Sequence, residues 1–354
     1  MFLSGVLWTV QHVVYKDGMR RLPSLRVSDK MSKSKTHGYI ASHPYKPKFD
    51  GTRVALLIED RPLTTLAPLV LHFISVLPPD WSISFVGSEA SIATLSTSAS
   101  IKAQIRSQKI KITKIPDGTS IAGQELISRF MTTLWLWEKV LSPAVVVLVF
   151  QTDSIICSKG RHKIDHFLQW DWIGAPWRNK TRIGGNGGLS LRKRAPILEI
   201  LKKEKRLDDD EFEDVWFTKR LNNNGRKVAP RDKALEWSGE SQLPDSLLDG
   251  MEAVNTIEMA DPRTRFEPVG YHIGYSGNQF HTNIWGTREL RNHVYDYCPE
   301  IKMLLSMDAA TFVPGRCHSS WEWHMPKKDK TILGNSTRTA NDSSRTTSQS
   351  VHTM

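Results

Sequence analysis

Four stretches of this sequence carry residue types that could do chemistry. Val145 to Ser154 (VVVLVFQTDS) places Asp153 just beyond a Val-rich apolar run. Such a run reads as a strand buried on both faces, and in open α/β sheets ligands bind in the crevice outside the carboxyl ends of the strands. A carboxylate on a short turn there can hold a hard cation and, through it, a phosphate; the same residue can equally be a plain turn or cap residue. Gly184 to Gly188 (GGNGG) is a backbone-exposing turn. It is either an ordinary loop or a place where a ligand approaches the main chain, since Gly has no side chain and tolerates φ > 0. Glu211, Glu213 and Asp214 lead into a helix. Acids there meet the positive end of the helix dipole as caps, or stand as proton acceptors. His272 sits between apolar residues far downstream, either as a hydrogen-bonded structural histidine or as a ligand. The glycine run is neither a phosphate loop, because no Lys-Ser/Thr follows it, nor a Gly-x-Gly-x-x-Gly dinucleotide turn.

The elements that must position these residues read as alternating strands and helices. Arg53 to Ile58, Trp81 to Val86, Lys109 to Ile115 and the run ending at Phe150 are strands. Leu63 to Leu77, a helix within 87–108, and Ser120 to Val140 are the helices between them, with Pro62 at a favoured first helical position. This alternation predicts a largely parallel sheet with helices on both faces. After Ser154 the pattern loosens. Ile164 to Trp170 is a short helix, Asp171 to Trp177 (DWIGAPW) a compact segment and Leu189 to Arg192 a short strand. Ala195 to Lys205 and Val215 to Asn224 are helices, the second capped by Gly225. Arg265 to Gly274 holds a strand or loop around His272, and 288–305 a helical stretch.

The formal net charge of +11 invites a nucleic-acid reading, but its location argues otherwise. Residues 1–48 hold nine Lys/Arg against two Asp/Glu, and 326–354 hold five against two, so 49–325 is nearly neutral. The ends read as a basic linker and a Ser/Thr-rich disordered tail, and no nucleic-acid partner is expected. Met1 to Val14 is apolar but too short for a typical span of about 20 residues. It reads as a weak anchor, the remnant of one, or an amphipathic start, and leaves membrane association through the N-terminus open. The three cysteines, Cys157, Cys298 and Cys317, show spacing that fits neither a disulfide framework nor a zinc site. Asn179, Asn335 and Asn341 each begin a glycosylation tripeptide.

The order of the reactive stretches is more specific than any one of them. A strand-end Asp, a Gly-rich segment, an acidic pair at a helix start and a late His follow one another as in GT-A glycosyltransferases. Residues 49 to about 305 resemble the fungal and bacterial DUF5672 family through VALLIEDRP, LVLHFISVLPPDW, VFQTDS, DWIGAPW, GGNGGLSLR, EDVWF, GYH and YCPE. That family in turn resembles GT-A enzymes, so the resemblance implies a GT-A-like, Rossmann-like α/β domain over 49–325, with a mostly parallel sheet flanked by helices. It implies transfer of a sugar from a nucleotide-sugar donor to a hydroxyl of a glycan, lipid or protein acceptor.

By the same resemblance, Asp153 is the metal-binding carboxylate of an Asp-x-Asp motif whose first position is Gln151 here. His272 completes the site around Mn²⁺ or Mg²⁺, and imidazole suits Mn²⁺ better. Glu59 and Arg61 lie near the nucleotide, while Asn186, Gly187, Gly188 and Trp177 line the donor-sugar pocket. Asp214 is the base, with Glu213 the alternative, and direct base action implies inversion. A secretory, Golgi-type location is expected, with a soluble location as the alternative. The missing acid at Gln151 leaves a second expectation, a degenerate member that binds a nucleotide sugar or carbohydrate without turnover.

Overall fold

The computed structural model describes residues 49, 51–179, 182–244, 266–274, 281, 284 and 288–305, with the backbone alone described at 288–289. The expected N-terminal linker and anchor, the C-terminal tail, Cys317, Asn335 and Asn341 lie outside the described residues.

Four strands form the parallel half of a six-stranded sheet: β1 (Arg53–Glu59), β2 (Ser82–Gly87), β3 (Ile110–Lys114) and β4 (Val146–Phe150). They lie in the order β3-β2-β1-β4, all parallel, with β3 at the edge. β7 (Asn186–Lys193) then runs antiparallel to β4, and β6 (Trp172–Ala175) antiparallel to β7. A separate three-stranded sheet joins β5 (Ser154–Ile156), β9 (Gly270–His272) and β8 (Ser238–Gly239). The mixed α/β class and mostly parallel sheet are those expected.

Side chains alternate across a strand, and the apolar runs of β1 and β4 therefore feed two cores. Ala55, Leu57, Leu148 and Phe150 join the core under α1 (Leu66–Val76), where Phe150 stacks on Phe73 at 3.8 Å. Val54, Leu56, Val147 and Val149 join the opposite core. That second core also contains Phe130 of α4 (Gly123–Met131), Ile197 of α5 (Arg194–Lys203) and Trp216 of α6 (Glu213–Asn223). β4 is thus covered on both faces, as its run of valines requires.

The helices depart from expectation where local chemistry intervenes. The stretch 87–108 is two helices, α2 (Glu89–Leu95) and α3 (Ala99–Arg106). Ser88 and Ser98 each accept a backbone N–H of the following turn, and each serine starts a new helix. The long helix expected over 120–140 breaks after Met131 and resumes as a π-helical turn, Trp135–Val140. At the break, the hydroxyls of Thr132 and Thr133 donate to backbone carbonyls. Pro62 does not open α1, which begins at Leu66. DWIGAPW, expected as a compact segment, supplies β6. α7 (Arg231–Trp237) and α8 (Arg288–Tyr297) complete the described α-helices, beside short 3-10 helices at Ile164–Phe167 and Pro299–Leu304.

The reading of the cysteines is corrected. Cys157 and Cys298, 141 residues apart in sequence, form a disulfide. Spacing carries no signal for a bridge this long. The fold makes it, by laying the segment after α8 against the end of β5. Among the described residues, no helix is long and apolar enough to cross a membrane.

Candidate active site

A cavity of about 560 Å³ opens at the carboxyl ends of β1 and β4, where Ile58 and Val149 reach it. It gathers Asp153, Trp177, Asn186, Gly187, Gly188 and His272, together with Glu213 and Asp214. Gln151 lines it too. Glu59 and Arg61 do not. Glu59 ends β1 with its carboxylate buried, and the Arg61 guanidinium grips it at 2.8 and 2.7 Å. Thr152 ties this ion pair to the turn carrying Asp153, donating to Glu59 at 3.2 Å and accepting from Arg61 at 3.3 Å. The pair stands beside the cavity, one residue from Asp153.

The glycines of GGNGG make room for the protein itself. A Cβ on Gly188 would lie 2.3 Å from His272 Nε2, and one on Gly187 would lie 2.5 Å from Glu213 Oε1. At the start of β7, Asn186 accepts the Gly188 N–H at 2.7 Å, and Gly188 O accepts from Gln151 N and Ser154 Oγ at 2.8 Å each. Side-chain-free backbone here lets β7 lie close against both the His272 ring and the acidic pair.

The acidic pair is divided by its neighbours. Arg192, fully buried on β7, holds Glu213 through two bonds of 3.0 Å and also donates to Gly187 O at 3.2 Å. Its guanidinium lies over the Trp172 ring at 4.0 Å. Glu213 is thereby committed to an ion pair. Asp214 instead accepts backbone N–H groups from Gly187 at 3.1 Å and Val215 at 2.7 Å. Burial and then the neighbouring charge of Glu213 push its carboxyl up to about 6, against those hydrogen bonds and Arg192. Of the two acids, Asp214 has the character of a base poised near neutral pH. Arg192 is a residue that sequence reading missed; an Arg in a short apolar strand is the signal that was there.

The small sheet assembles the other half of the site. Ser154 pairs with His272 across β5 and β9, and Ser238 and Gly239 pair with Gly270 and Tyr271 across β8 and β9. Asp153 and Glu240 are therefore delivered to opposite sides of one histidine. Nε2 of His272 lies 3.4 Å from Asp153 Oδ1, and Nδ1 lies 3.3 Å from Glu240 Oε1. All three side chains are largely buried, and neither ring nitrogen makes a well-aligned hydrogen bond. Burial lowers the His272 pKa, but Glu240 and Asp153 together outweigh it and raise it to about 10. Glu240 had no sequence signal, since a single acid after a two-residue strand looks like any surface loop.

Asp153 Oδ1 and His272 Nε2 fit the expected divalent cation. Their 3.4 Å separation suits two ligands of one ion at about 2.1 Å each, and an oxygen-nitrogen pair favours Mn²⁺ over Mg²⁺. Binding an ion there would require Nε2 to give up any proton, as ligand histidines must be neutral. Among the described residues no three His, Cys, Asp or Glu side chains form a metal-holding group. A cation held by this pair alone would keep its other coordination positions open.

Residues 109–250 match the family described as protein of unknown function (DUF5672). No curated protein matches the sequence. Among solved structures, the apo form of the glycosyltransferase GlyE from Streptococcus pneumoniae is 13% identical with a TM-score of 0.42, over 74% of this chain and 62% of GlyE. The galactosyltransferase LgtC, solved with donor and acceptor sugar analogues, is 12% identical with a TM-score of 0.36, over 77% of this chain and 100% of LgtC. The mannosyltransferase PcManGT from Pyrobaculum calidifontis, solved with GDP-Man and Mn²⁺, is 14% identical with a TM-score of 0.34, over 54% of this chain and 59% of PcManGT.

Proposed function

We propose that the protein is a GT-A-type glycosyltransferase that moves a sugar from a nucleotide-sugar donor to an acceptor hydroxyl with inversion. The observation that carries this reading is one cavity at the strand ends holding two separate carboxylate devices: Asp153 with His272, and Asp214 on the N-terminus of α6. Asp153 and His272 would hold Mn²⁺ or Mg²⁺, which when bound neutralises charge gathering on the leaving diphosphate. Asp214 takes the proton of the acceptor hydroxyl as its oxygen bonds to the anomeric carbon. The bond from that carbon to the diphosphate breaks, and the nucleoside diphosphate leaves. Asn186, Gly187, Gly188 and Trp177 shape the sugar pocket, with Trp177 offering an apolar face. Glu59 and Arg61 act from beside the cavity, Arg61 toward nucleotide phosphate or base.

The acceptor class, glycan, lipid or protein, is the open half of the reaction. A secretory-pathway location is part of the proposal. The Cys157–Cys298 disulfide supports it, since such bonds persist in oxidising compartments.

The test is a panel of nucleotide sugars with Mn²⁺ and with chelator, read as donor consumption, alongside Asp214→Asn. Transfer should fall about 10²- to 10⁴-fold in the variant while donor binding stays; unchanged turnover removes Asp214 as base. The second reading, a non-catalytic nucleotide-sugar or carbohydrate binder, draws on Gln151 standing where a second acid is expected. Binding of a donor that no acceptor consumes would establish it.

A further inference from the structure

Of the described carboxylates lining the cavity, Glu240 alone is neither used in the reaction above nor held by an arginine. Its position is set by the sheet. Parallel pairing of β8 with β9 puts Ser238 beside Gly270 and Gly239 beside Tyr271, so the next step of the register brings Glu240 beside His272. Neighbours in register point to the same face, and Glu240 Oε1 accordingly lies 3.3 Å from Nδ1 of His272. Nε2, the other ring nitrogen, faces Asp153 and the Gly188 backbone. The two nitrogens of one imidazole thus meet carboxylates from two strands.

We propose that Glu240 is a positioning residue that accepts the Nδ1–H of His272, locks the tautomer and ring orientation, and presents the Nε2 lone pair beside Asp153 for a divalent cation. This rests on the metal-assisted reading above and deepens it. A ligand histidine whose far nitrogen donates to a carboxylate is both oriented and made more basic. Glu240 is not itself a ligand: it faces the nitrogen turned away from Asp153, and no three-residue metal-holding group exists among the described residues. This end of the ring is not crowded: even a Cβ on Gly274 would meet Glu240 Oε1 only at an ordinary contact of 3.8 Å.

The experiment is calorimetric titration of the full chain with Mn²⁺ alone, for the parent, Glu240→Ala, Glu240→Gln and His272→Ala, with circular dichroism confirming that each is folded. Glu240→Ala should bind Mn²⁺ about 10- to 100-fold more weakly. Glu240→Gln keeps an acceptor oxygen for Nδ1–H and should lie closer to the parent. In the Zn²⁺-loaded protein, used as a diamagnetic probe, nitrogen NMR should show His272 protonated at Nδ1 in the parent and not fixed in that form in Glu240→Ala. A Glu240→Ala affinity within twofold of the parent overturns the proposal. Equal, His272→Ala-like losses in both Glu240 variants overturn it as well, because they make Glu240 a ligand. A parent that binds nucleotide sugar but no Mn²⁺ overturns the metal reading and this inference together. The stated order of affinities in a protein that consumes no donor leaves this inference standing and defeats only the transferase reading.

Discussion

The two sheets divide the labour of this molecule. The six-stranded sheet is built from contiguous apolar runs, and its central strand β4 is buried along its whole length between two cores. The three-stranded sheet has strands of three, two and three residues. Short as they are, its strands are buried throughout, and they bring together Asp153, Glu240 and His272. The large sheet supplies the stability and one wall of the cavity, the Gly187–Asp214 contact. The small sheet supplies polar groups that would be costly to bury without a rigid frame. That frame comes from outside it: the Cys157–Cys298 bridge, the Cys157 N–H to Val269 O bond of 2.9 Å and the Tyr297 hydroxyl on Pro268 O at 2.6 Å. Chemistry here sits on the less self-sufficient sheet, and external ties compensate.

The division can be broken first on the large sheet. Arg192→Ala removes a fully buried guanidinium and leaves the Glu213 charge unpaired, so it should cost about 3–5 kcal/mol in urea unfolding. A loss well under 1 kcal/mol would mean that the fork is dispensable. On the small sheet, Cys157→Ser with Cys298→Ser should cost about 2–4 kcal/mol. Its effect should be local as well: amides of β9 should exchange faster while those of β4 keep their protection. Uniform loss of protection in both strands would erase the distinction between the sheets.

The contrast also explains what the sequence made legible. Runs such as RVALLI and VVVLVF announce two-faced strands on their own, and the parallel order follows from the helices between them. Asp153, Gly187, Gly188, Asp214 and His272 stood out because motif order survives without contacts. Glu240 and Arg192 did not, since each acquires meaning only from a partner 32 or 21 residues away in sequence. The disulfide was hidden for the same reason, on a longer scale. GGNGG was visible, but its physical cause was not: the glycines yield space to the His272 ring and the Glu213–Arg192 pair.

Gly188→Ala sharpens the comparison at the seam between the sheets. The added methyl would fall 2.3 Å from His272 Nε2, so the His272 ring or one of the two strands must move. Overpacking of this kind costs about 1–3 kcal/mol. If the small sheet is the softer partner, β9 yields, and Mn²⁺ binding is lost out of proportion to the modest fall in stability. Retained Mn²⁺ affinity with a large stability loss would show that β7 yields instead.

The gentlest probe is pH, acting through Asp214 on the large-sheet side. Its carboxyl titrates near 6 in the folded protein, above the ordinary 3.8, because burial and Glu213 disfavour its charge. In its proposed role as base it would work only when ionised, so kcat/KM should rise about tenfold per pH unit up to about 6 and level off above. Stability runs the other way. A folded pKa above the unfolded value means that folding takes up a proton between the two. The contribution is fully present below 3.8 and is lost as pH climbs through about 6. Asp214→Asn has no such titration. The parent should therefore lose stability relative to the variant across this interval, read as the difference in unfolding free energy at pH 4, 5, 6 and 7 (about one measurement per pH unit). A flat difference would show that Asp214 is ionised at ordinary carboxylate pH, and activity would then hold level well below 6.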